Sequence, residues 1–380
     1  MKAIINGKII LPQEVVTGQT LVFDKKIEEL DILSPAELPE GTEIIDAAGN
    51  YVAPGFINIH IHGCGGADAM DGTLDSLQTM SRLLPRTGVT RFLPTTMTYD
   101  EPRLVQALTA IKNARGSEPG AKILGANLEG PFISEKYKGA QKACNIQKAN
   151  SRLLEKFPGL IRYITLAPET LDSMDFIRQC RKRGILVSLG HSDATYEEAA
   201  AAVAAGASHI THLYNAMSPL HHRRPGLVGA ALTLPVACEL IADSIHSHPA
   251  ALKLAWLAKG PDKLILITDS MRACLMPEGV SELGGQTVYV KDGRATLQDG
   301  TIAGSIVTMD KALETFRSAT GATLPEAIRL VTVNPAKELG LYDELGSLEE
   351  GKLADLVLMD EEFHIKRTFV EGKSDTKKEL

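Results

Sequence analysis

Short apolar, β-branched runs alternate with longer amphipathic stretches through the middle of the chain. Each run stops abruptly at polar residues, as Ile185–Leu189 does at a Gly-His-Ser sequence. Such a run predicts a strand buried on both faces, and the amphipathic stretch after it predicts a helix. The predicted strands are Gly55–His62, Thr90–Thr95, Lys122–Glu129, Tyr163–Pro168, Ile185–His191, His209–Asn215, Glu239–His246 and Lys263–Asp269.

Eight strands that mostly alternate with helices predict an α/β fold, a (β/α)8 TIM-like barrel. An open doubly wound sheet is the alternative, but no Gly-rich dinucleotide fingerprint follows the first strand. Between strands five and six, Tyr196–Gly206 is Ala- and Glu-rich, with Asp193 or Thr195 as its N-cap and Gly206 as its stop. Further helices are predicted at Thr308–Ala319 and Pro325–Gly340.

Both ends of the chain show short strands and turns instead of this alternation. The Asn6-Gly7 pair predicts a hairpin. We therefore expect a small β-sandwich domain built from residues 1–52 plus 341–380, and a larger barrel domain over residues 53–340. Turn sequences around residues 280–304 predict a β excursion from the barrel.

Composition narrows the class of protein. The 380-residue chain is 44% hydrophobic and 23% charged, as globular proteins are, and its net charge of −7 argues against nucleic-acid or anionic-membrane binding. No apolar run reaches the roughly 18 residues of a membrane span. The five cysteines form no CxxC motif, and the first ten residues predict a strand rather than a signal peptide. We therefore expect a reducing, cytoplasmic location.

Polar residues stand where the predicted strands end. The carboxyl ends of parallel barrel strands meet on one rim, so these side chains should converge. Imidazole and carboxylate groups are ligands that Zn²⁺ and Fe²⁺ prefer. Histidines satisfied by ordinary hydrogen bonds at strand ends are the alternative. The residues concerned are His60, His62, Glu129, His191, His212 and Asp269.

Asp269 is a candidate acid/base as well as a candidate ligand. A carboxylate beside a metal can take a proton from an attacking water and return it to a leaving group. The alternative for Asp269 is a helix N-cap, and for Glu129 it is a salt-bridged barrel residue. The sequence pattern leaves both alternatives open.

A set of motifs extends this picture over nearly the whole chain. PGFINIHIHG, LEGPF, LAPE, GHSDAT, THLYNAM, IADSIH, ITDS and VNPAKELG occur in this order. Together they resemble the N-acetylglucosamine-6-phosphate deacetylases of the amidohydrolase superfamily. LEGPF and THLYNAM are specific to the deacetylases, whereas HxH is shared by the superfamily. Strand four ends in Thr-Leu-Ala-Pro-Glu, without the lysine that hydantoinases and dihydroorotases carboxylate, which counts against those branches.

The resemblance implies a metal-dependent hydrolase that removes the acetyl group from N-acetylglucosamine 6-phosphate. It implies that Glu129, His191 and His212 bind a divalent metal, Zn²⁺ or Fe²⁺. The pair His60 and His62 would add a second position, giving one or two metals per subunit. Asp269 corresponds to the catalytic acid/base. The implied substrate-binding residues are Ala140, Gln141, Asn215, Ala216, Arg223, His246 and Ser305.

Two loops bear on the substrate. Some family members have a histidine where Gln141 stands, so Gln141 would orient the acetyl carbonyl less acidically. The stretch His221–Arg224 is strongly basic and suits a phosphate, because the arginine fork matches phosphate geometry. A solvated charged loop is the alternative. By resemblance, Arg223 contacts the phosphate and reaches across a homodimer interface into the neighbouring site.

Two other functions stay open. One is a different amidohydrolase, such as a ring deaminase or a cyclic-amide hydrolase, which would have no use for Arg223 if its substrate were neutral. The other is a non-catalytic metal-binding barrel, which would have no use for a carboxylate such as Asp269 beside a complete ligand set.

Overall fold

The computed structural model describes residues 1–33 and 37–374, and its first part is a series of seven short strands. Their bounds are β1 Lys2–Ile5, β2 Lys8–Ile10, β3 Val15–Val16, β4 Thr20–Phe23, β5 Ile27–Asp31, β6 Glu43–Asp46 and β7 Tyr51–Pro54. The hairpin predicted at Asn6-Gly7 is wrong, because β1 and β2 belong to different sheets. Asn6 has a left-handed φ of 56°, and the chain crosses there from one sheet to the other.

A parallel barrel forms the centre of the molecule and confirms the predicted fold class. The strands of this part are β8 Phe56–Ile61, β9 Gly63–Cys64, β10 Ala67–Asp68, β11 Val89–Thr96, β12 Lys122–Ile123, β13 Ala126–Glu129, β14 Ile161–Leu166, β15 Leu186–Leu189, β16 His209–Ile210, β17 Ala237–Ile241 and β18 Leu264–Ile267. Strands β9 and β10 form a separate ribbon. Strands β12 and β13 share one of the eight barrel positions, because the chain is interrupted at Gly125, whose φ is 154°.

Helices follow most of the barrel strands. Their bounds are α1 Leu74–Leu83, α2 Glu101–Ala114, α3 Arg152–Lys156, α4 Ser173–Lys182, α5 Tyr196–Ala205, α6 Gly226–Thr233, α7 Pro249–Lys259, α8 Met309–Thr320, α9 Leu324–Arg329 and α10 Val333–Glu338. Thr195 is the N-cap of α5 within a capping box, and Gly206 is its C-cap, as predicted. Among residues 1–33 and 37–374, no helix is long and apolar enough to cross a membrane.

The single helix predicted over Pro325–Gly340 is wrong. The structure divides it into α9 and α10, since Pro335 in a continuous helix would clash with the carbonyl of Val331. The break has a use. The carbonyls of Leu330 and Val331 accept hydrogen bonds from the amides of Leu266 (3.1 Å) and Ile57 (2.7 Å). They thereby bridge β18 and β8, the two barrel strands that share no ladder in the described chain.

The predicted β excursion is an antiparallel three-stranded sheet. Its strands are β19 Gly279–Leu283, β20 Gln286–Lys291 and β21 Arg294–Thr296. The side-chain amide of Gln286 donates a hydrogen bond to the carbonyl of Ala140. The excursion is thus attached to the loop that follows β13, over the mouth of the barrel.

The last two strands complete the small sandwich. Strands β22 (Leu356–Met359) and β23 (Ile365–Phe369) give a five-stranded sheet in the order β23-β22-β7-β2-β3. Its apolar side chains share one core with the sheet β5-β4-β1-β6, where Phe369 packs edge-on against Phe23. The domain division at 52/53 and 340/341 stays a proposal. Strand β7 crosses the first of these boundaries, and residues 375–380 lie outside the described chain.

Candidate metal centre and active site

Six polar side chains meet at the carboxyl end of the barrel, as the strand-end pattern predicted. Two triads each bring three potential ligand atoms within 4.8 Å of one another, and all six residues are buried. One triad joins strands β13, β15 and β16, and the other joins β8 with the end of β18. The triads are Glu129–His191–His212 and His60–His62–Asp269.

Glu129 lies between the two triads. Its Oε1 is 3.1 Å from His191 Nε2 and 3.2 Å from His212 Nε2. The same oxygen is 3.5 Å from His60 Nε2, while Oε2 is 3.4 Å from His62 Nε2. Asp269 Oδ1 faces the first-strand pair, 3.1 Å from His62 Nε2. One carboxylate can therefore serve both triads.

Sharp turns direct the later residues into the site. His191, His212 and Asp269 each have a left-handed φ, of 48°, 32° and 48°. Non-glycine residues rarely adopt this conformation, and it tends to occur at functional sites. It also explains why the predicted strand His209–Asn215 is too long, because β16 ends before the turn at His212.

Three of the imidazoles are oriented through their outer nitrogens. His62 Nδ1 lies 3.1 Å from the carbonyl of Thr95, and His191 Nδ1 lies 2.9 Å from the carbonyl of Tyr137. His60 Nδ1 lies 3.0 Å from Glu239 Oε2. Each acceptor requires a proton on Nδ1, which leaves Nε2, pointing into the site, as the nitrogen available to a metal. This is the arrangement of metal-ligating histidines in proteins.

The electrostatics favour a cation at the centre. Burial raises the pKa of Asp269, but His60 and His62 outweigh it and lower the pKa to about 2. Burial lowers the pKa of His60, but Glu239, Asp269 and Glu129 outweigh it and raise the pKa to about 9. Within the described chain, the ion-pair partners of these three carboxylates are histidines.

The donor set fits a divalent metal. The fully buried Nε2 of His60 has no hydrogen-bond partner in the described chain, although two carboxylate oxygens lie 3.5 Å away. An orphaned buried nitrogen costs free energy unless something binds it. A metal ion would bind this nitrogen. It would also neutralise the carboxylates, because buried charges need a partner.

A cavity of about 370 Å³ opens above the centre. Asp269 is part of its floor, and the excursion supplies one wall through Leu283 and Thr301. The predicted substrate residues that line it are Ala140, Gln141, Asn215, Ala216 and His246.

The cavity residues are held by local contacts. Asp243 caps the backbone of His246 and lies 2.6 Å from its Nδ1, which fixes the ring. Gln141 Nε2 donates to Glu129 Oε2 at 3.1 Å and lies 3.3 Å from His191 Nε2. Both amide hydrogens of Gln141 therefore have partners here, and contact with an acetyl carbonyl would require one of them to change.

Two predicted substrate residues lie elsewhere. The hydroxyl of Ser305 donates to the carbonyl of Thr268 at 2.5 Å, and Ser305 N donates to the carbonyl of Asp269 at 2.9 Å. Ser305 thus supports the Asp269 turn and does not line the cavity. Arg223 is exposed and lines a neighbouring cavity, with its Nη1 2.7 Å from His222 Nε2.

The sequence pattern missed two residues of this region. Lys136 lines both the central and the neighbouring cavity, and it gave no signal beyond its place after LEGPF. Glu239, within β17, contacts His60 and is fully buried. A charged residue inside the apolar run VACELIA could have indicated it.

The two triads predict separable metal positions. Replacing both His60 and His62 by asparagine should lower the metal content by about one ion per chain, because asparagine lacks the imidazole nitrogen. Elemental analysis of the purified protein measures this. The triad containing Glu129 should keep its metal, since its three side chains are unchanged. An unaltered metal count would assign the first-strand pair a purely structural role.

Comparison with known proteins assigns the chain to a family. Residues 51–376 match the model of the amidohydrolase family. The chain therefore belongs to the amidohydrolase family, whose members are metal-dependent hydrolases.

Within the family, the similarity is to one kind of deacetylase. The chain is 44% identical to the N-acetylglucosamine-6-phosphate deacetylase of Bacillus subtilis, over 96% of this chain and 94% of the relative. An N-acetylgalactosamine-6-phosphate deacetylase of Escherichia coli O157:H7 is 34% identical over 96% and 98%. The crystal structure of the N-acetylglucosamine-6-phosphate deacetylase from Pasteurella multocida superposes with a TM-score of 0.94 at 32% identity, with 99% of each chain covered. The resemblance inferred from the motifs is confirmed.

Proposed function

We propose that this protein hydrolyses the acetyl amide of N-acetylglucosamine 6-phosphate, releasing glucosamine 6-phosphate and acetate. The observation that carries the proposal is the buried centre with Asp269 at the floor of an open cavity, in a chain 44% identical to a named deacetylase of this substrate. A ring deaminase is disfavoured because the relatives at 34–44% identity are deacetylases of phosphorylated amino sugars.

In the proposed mechanism the two triads hold one or two divalent metals, Zn²⁺ or Fe²⁺, through imidazole and carboxylate donors. When bound, the metal polarises the acetyl carbonyl and lowers the pKa of water. Asp269 takes the proton of the attacking water and returns it to the amine. The amine must leave protonated, because a free amide anion is too basic.

The surrounding residues bind and orient the sugar. His246, fixed by Asp243, would contact the ring, and the backbone amide of Ala216 would donate to phosphate oxygens. The amide of Asn215 donates to the carbonyl of His212 at 3.0 Å, so it would have to leave that partner to reach a phosphate. Gln141, which donates to Glu129, holds that carboxylate in its orientation.

A phosphate group needs positively charged partners, and the central cavity of one subunit has few of them. Among the described residues that line the central cavity, Lys136 is the only lysine or arginine. It is largely exposed and pairs with Asp193 at 2.8 Å. Arg223 lies on the adjoining cavity, which shares Lys136 and Tyr137 with the central one. We therefore assign Lys136 to the phosphate in its own site and Arg223 to the site of a neighbouring subunit in a homodimer.

Arg223→Ala should weaken use of the 6-phosphate substrate about ten- to a hundredfold. A charge-assisted arginine contact contributes roughly 1.5–3 kcal/mol, and each 1.4 kcal/mol corresponds to about tenfold. Activity on unphosphorylated N-acetylglucosamine should barely change, because that substrate has no group for the guanidinium. The ratio of kcat/KM on the two sugars measures this, with Arg224→Ala as the matched control. An equal loss on both sugars would contradict the phosphate role.

Mixed subunits test whether Arg223 acts in the neighbouring site. Heterodimers of Arg223→Ala and Asp269→Asn chains should recover activity, since one of their two sites has both groups intact. After subunit exchange has been verified, an absence of recovery would confine Arg223 to its own chain.

The activity itself is tested by acetate release together with metal analysis. Purified protein should release acetate from N-acetylglucosamine 6-phosphate in a metal-dependent manner, and faster than from N-acetylgalactosamine 6-phosphate. A preference for the galactose epimer would transfer the proposal to that substrate. Ammonia release without acetate would overturn it.

A further inference from the structure

Glu239 forms a direct link between the two triads from outside them. Its Oε2 lies 3.0 Å from His60 Nδ1 and accepts a hydrogen bond from the backbone amide of His212 at 3.2 Å. His60 belongs to one triad and His212 to the other. One carboxylate oxygen on β17 therefore contacts a ligand candidate from β8 and another from the turn after β16.

Burial of the Glu239 carboxylate costs free energy of folding. Glu239 is 0% exposed, its neighbours in β17 are apolar and buried, and its Oε1 has no hydrogen-bond partner in the described chain. The ion-pair partner found for it among residues 1–33 and 37–374 is His60. A buried carboxylate without a lysine or arginine is destabilising, so packing alone does not account for it.

We propose that Glu239 is a positioning residue for metal binding, holding His60 Nε2 toward Glu129 and Asp269 and fixing the turn that presents His212. This inference rests on the proposed function only in so far as both need a metal at the centre. Glu239 lies behind the imidazole and contacts neither the central cavity nor any atom that a substrate would reach.

The other oriented histidines show why Glu239 is distinctive. His62 and His191 present Nδ1 to backbone carbonyls. These acceptors are neutral, and a side-chain substitution does not remove them. His60 alone of the three faces a carboxylate. A charged acceptor makes the imidazole a stronger donor to a metal than a carbonyl does. The free energy of metal binding should therefore depend on this side chain.

Metal retention tests the proposal. The purified holoprotein and its Glu239→Gln and Glu239→Leu variants are titrated with EDTA, and the remaining metal is measured. Loss of an outer partner of a ligand lowers metal affinity about 10- to 100-fold. We expect about tenfold for glutamine, which keeps an acceptor but not the charge, and about a hundredfold for leucine, which keeps neither. The KM for the phosphosugar should stay within twofold while kcat falls.

Glu338→Gln is the matched control. Glu338 Oε2 lies 3.3 Å from the Nε2 of buried His209, a glutamate–histidine pair of the barrel away from the centre. This variant should retain metal as the wild type does. A folded Glu239→Gln protein that retains metal within twofold of the wild type would overturn the proposal, even if the leucine variant fails to fold.

The test separates the two proposals. Wild-type protein that binds metal but releases no acetate would overturn the proposed function, while the titration would still decide the role of Glu239. Wild-type protein that binds no metal would overturn both.

Discussion

Asp269→Asn should lower kcat by about 10²–10⁴-fold, the usual contribution of a positioned general acid/base. Asparagine matches aspartate in shape but can neither accept the proton of water nor return it to the amine. The KM should change little, because asparagine keeps the shape of the side chain. Asp269 lines the cavity beside His62, 3.1 Å away, and is not one of the residues assigned to bind the sugar or the phosphate. Steady-state kinetics of acetate release provide kcat and KM separately.

Metal analysis is the control for this variant. The metal held by the Glu129 triad should remain, because Asp269 belongs to the other triad. A variant that keeps near-normal turnover would exclude Asp269 as the acid/base and leave it the role of a ligand in its triad. The N-cap alternative is wrong, because the next regular element after β18 in the described chain is strand β19 and no helix begins at Asp269.

Glu129→Gln should remove metal and activity together. Among the described residues, Glu129 is the one whose two side-chain oxygens lie within 3.5 Å of histidine ring nitrogens from both triads. Glutamine replaces one oxygen by a donor and removes the charge, so both positions lose a ligand. Turnover should fall by about 10³-fold or more, since the metal contributes several kcal/mol to the reaction. Elemental analysis and acetate release on the same sample measure both effects.

Glu169→Gln is the comparison for the loss of a carboxylate at this rim. Glu169 accepts hydrogen bonds from Ser192 Oγ at 2.7 Å and Asp193 N at 2.6 Å, close in sequence to His191 but outside both triads. It should retain metal. Full metal occupancy in Glu129→Gln would remove Glu129 from the ligand set.

The barrel and the six residues of its centre could be predicted because the signals for them lie in short stretches of sequence. A strand buried on both faces needs a continuous apolar run, and a metal centre needs imidazole and carboxylate groups where such runs end. Both requirements appear in a single sequence without knowledge of the contacts. The capping box of α5 is predictable for the same reason, since its partners are three residues apart.

Other features depend on contacts that no short pattern contains. The left-handed turn at His212 shortens β16, yet nothing in the sequence marks a histidine for that conformation. The position of Arg223 on a separate cavity depends on the path of the whole loop. Glu239 escapes the strand-end pattern because it precedes the carboxyl end of its strand, both in the predicted strand Glu239–His246 and in β17. Its partners are 179 and 27 residues away in the chain.

The break between α9 and α10 has a consequence for how the catalytic rim is secured. Strand β8, which carries His60 and leads to His62, lies beside β18, which leads to Asp269, and the two share no ladder in the described chain. At the catalytic end, the amide of Asp269 donates to the carbonyl of His60 at 3.0 Å. Nearer the other end, the carbonyls of Leu330 and Val331 accept hydrogen bonds from β18 and β8 and so hold the two strands together. The spacing between the proposed acid/base and the first-strand histidines is thus set partly by a segment some sixty residues downstream of Asp269. The segment that leads back to the terminal sandwich therefore also connects the first and last strands of the barrel.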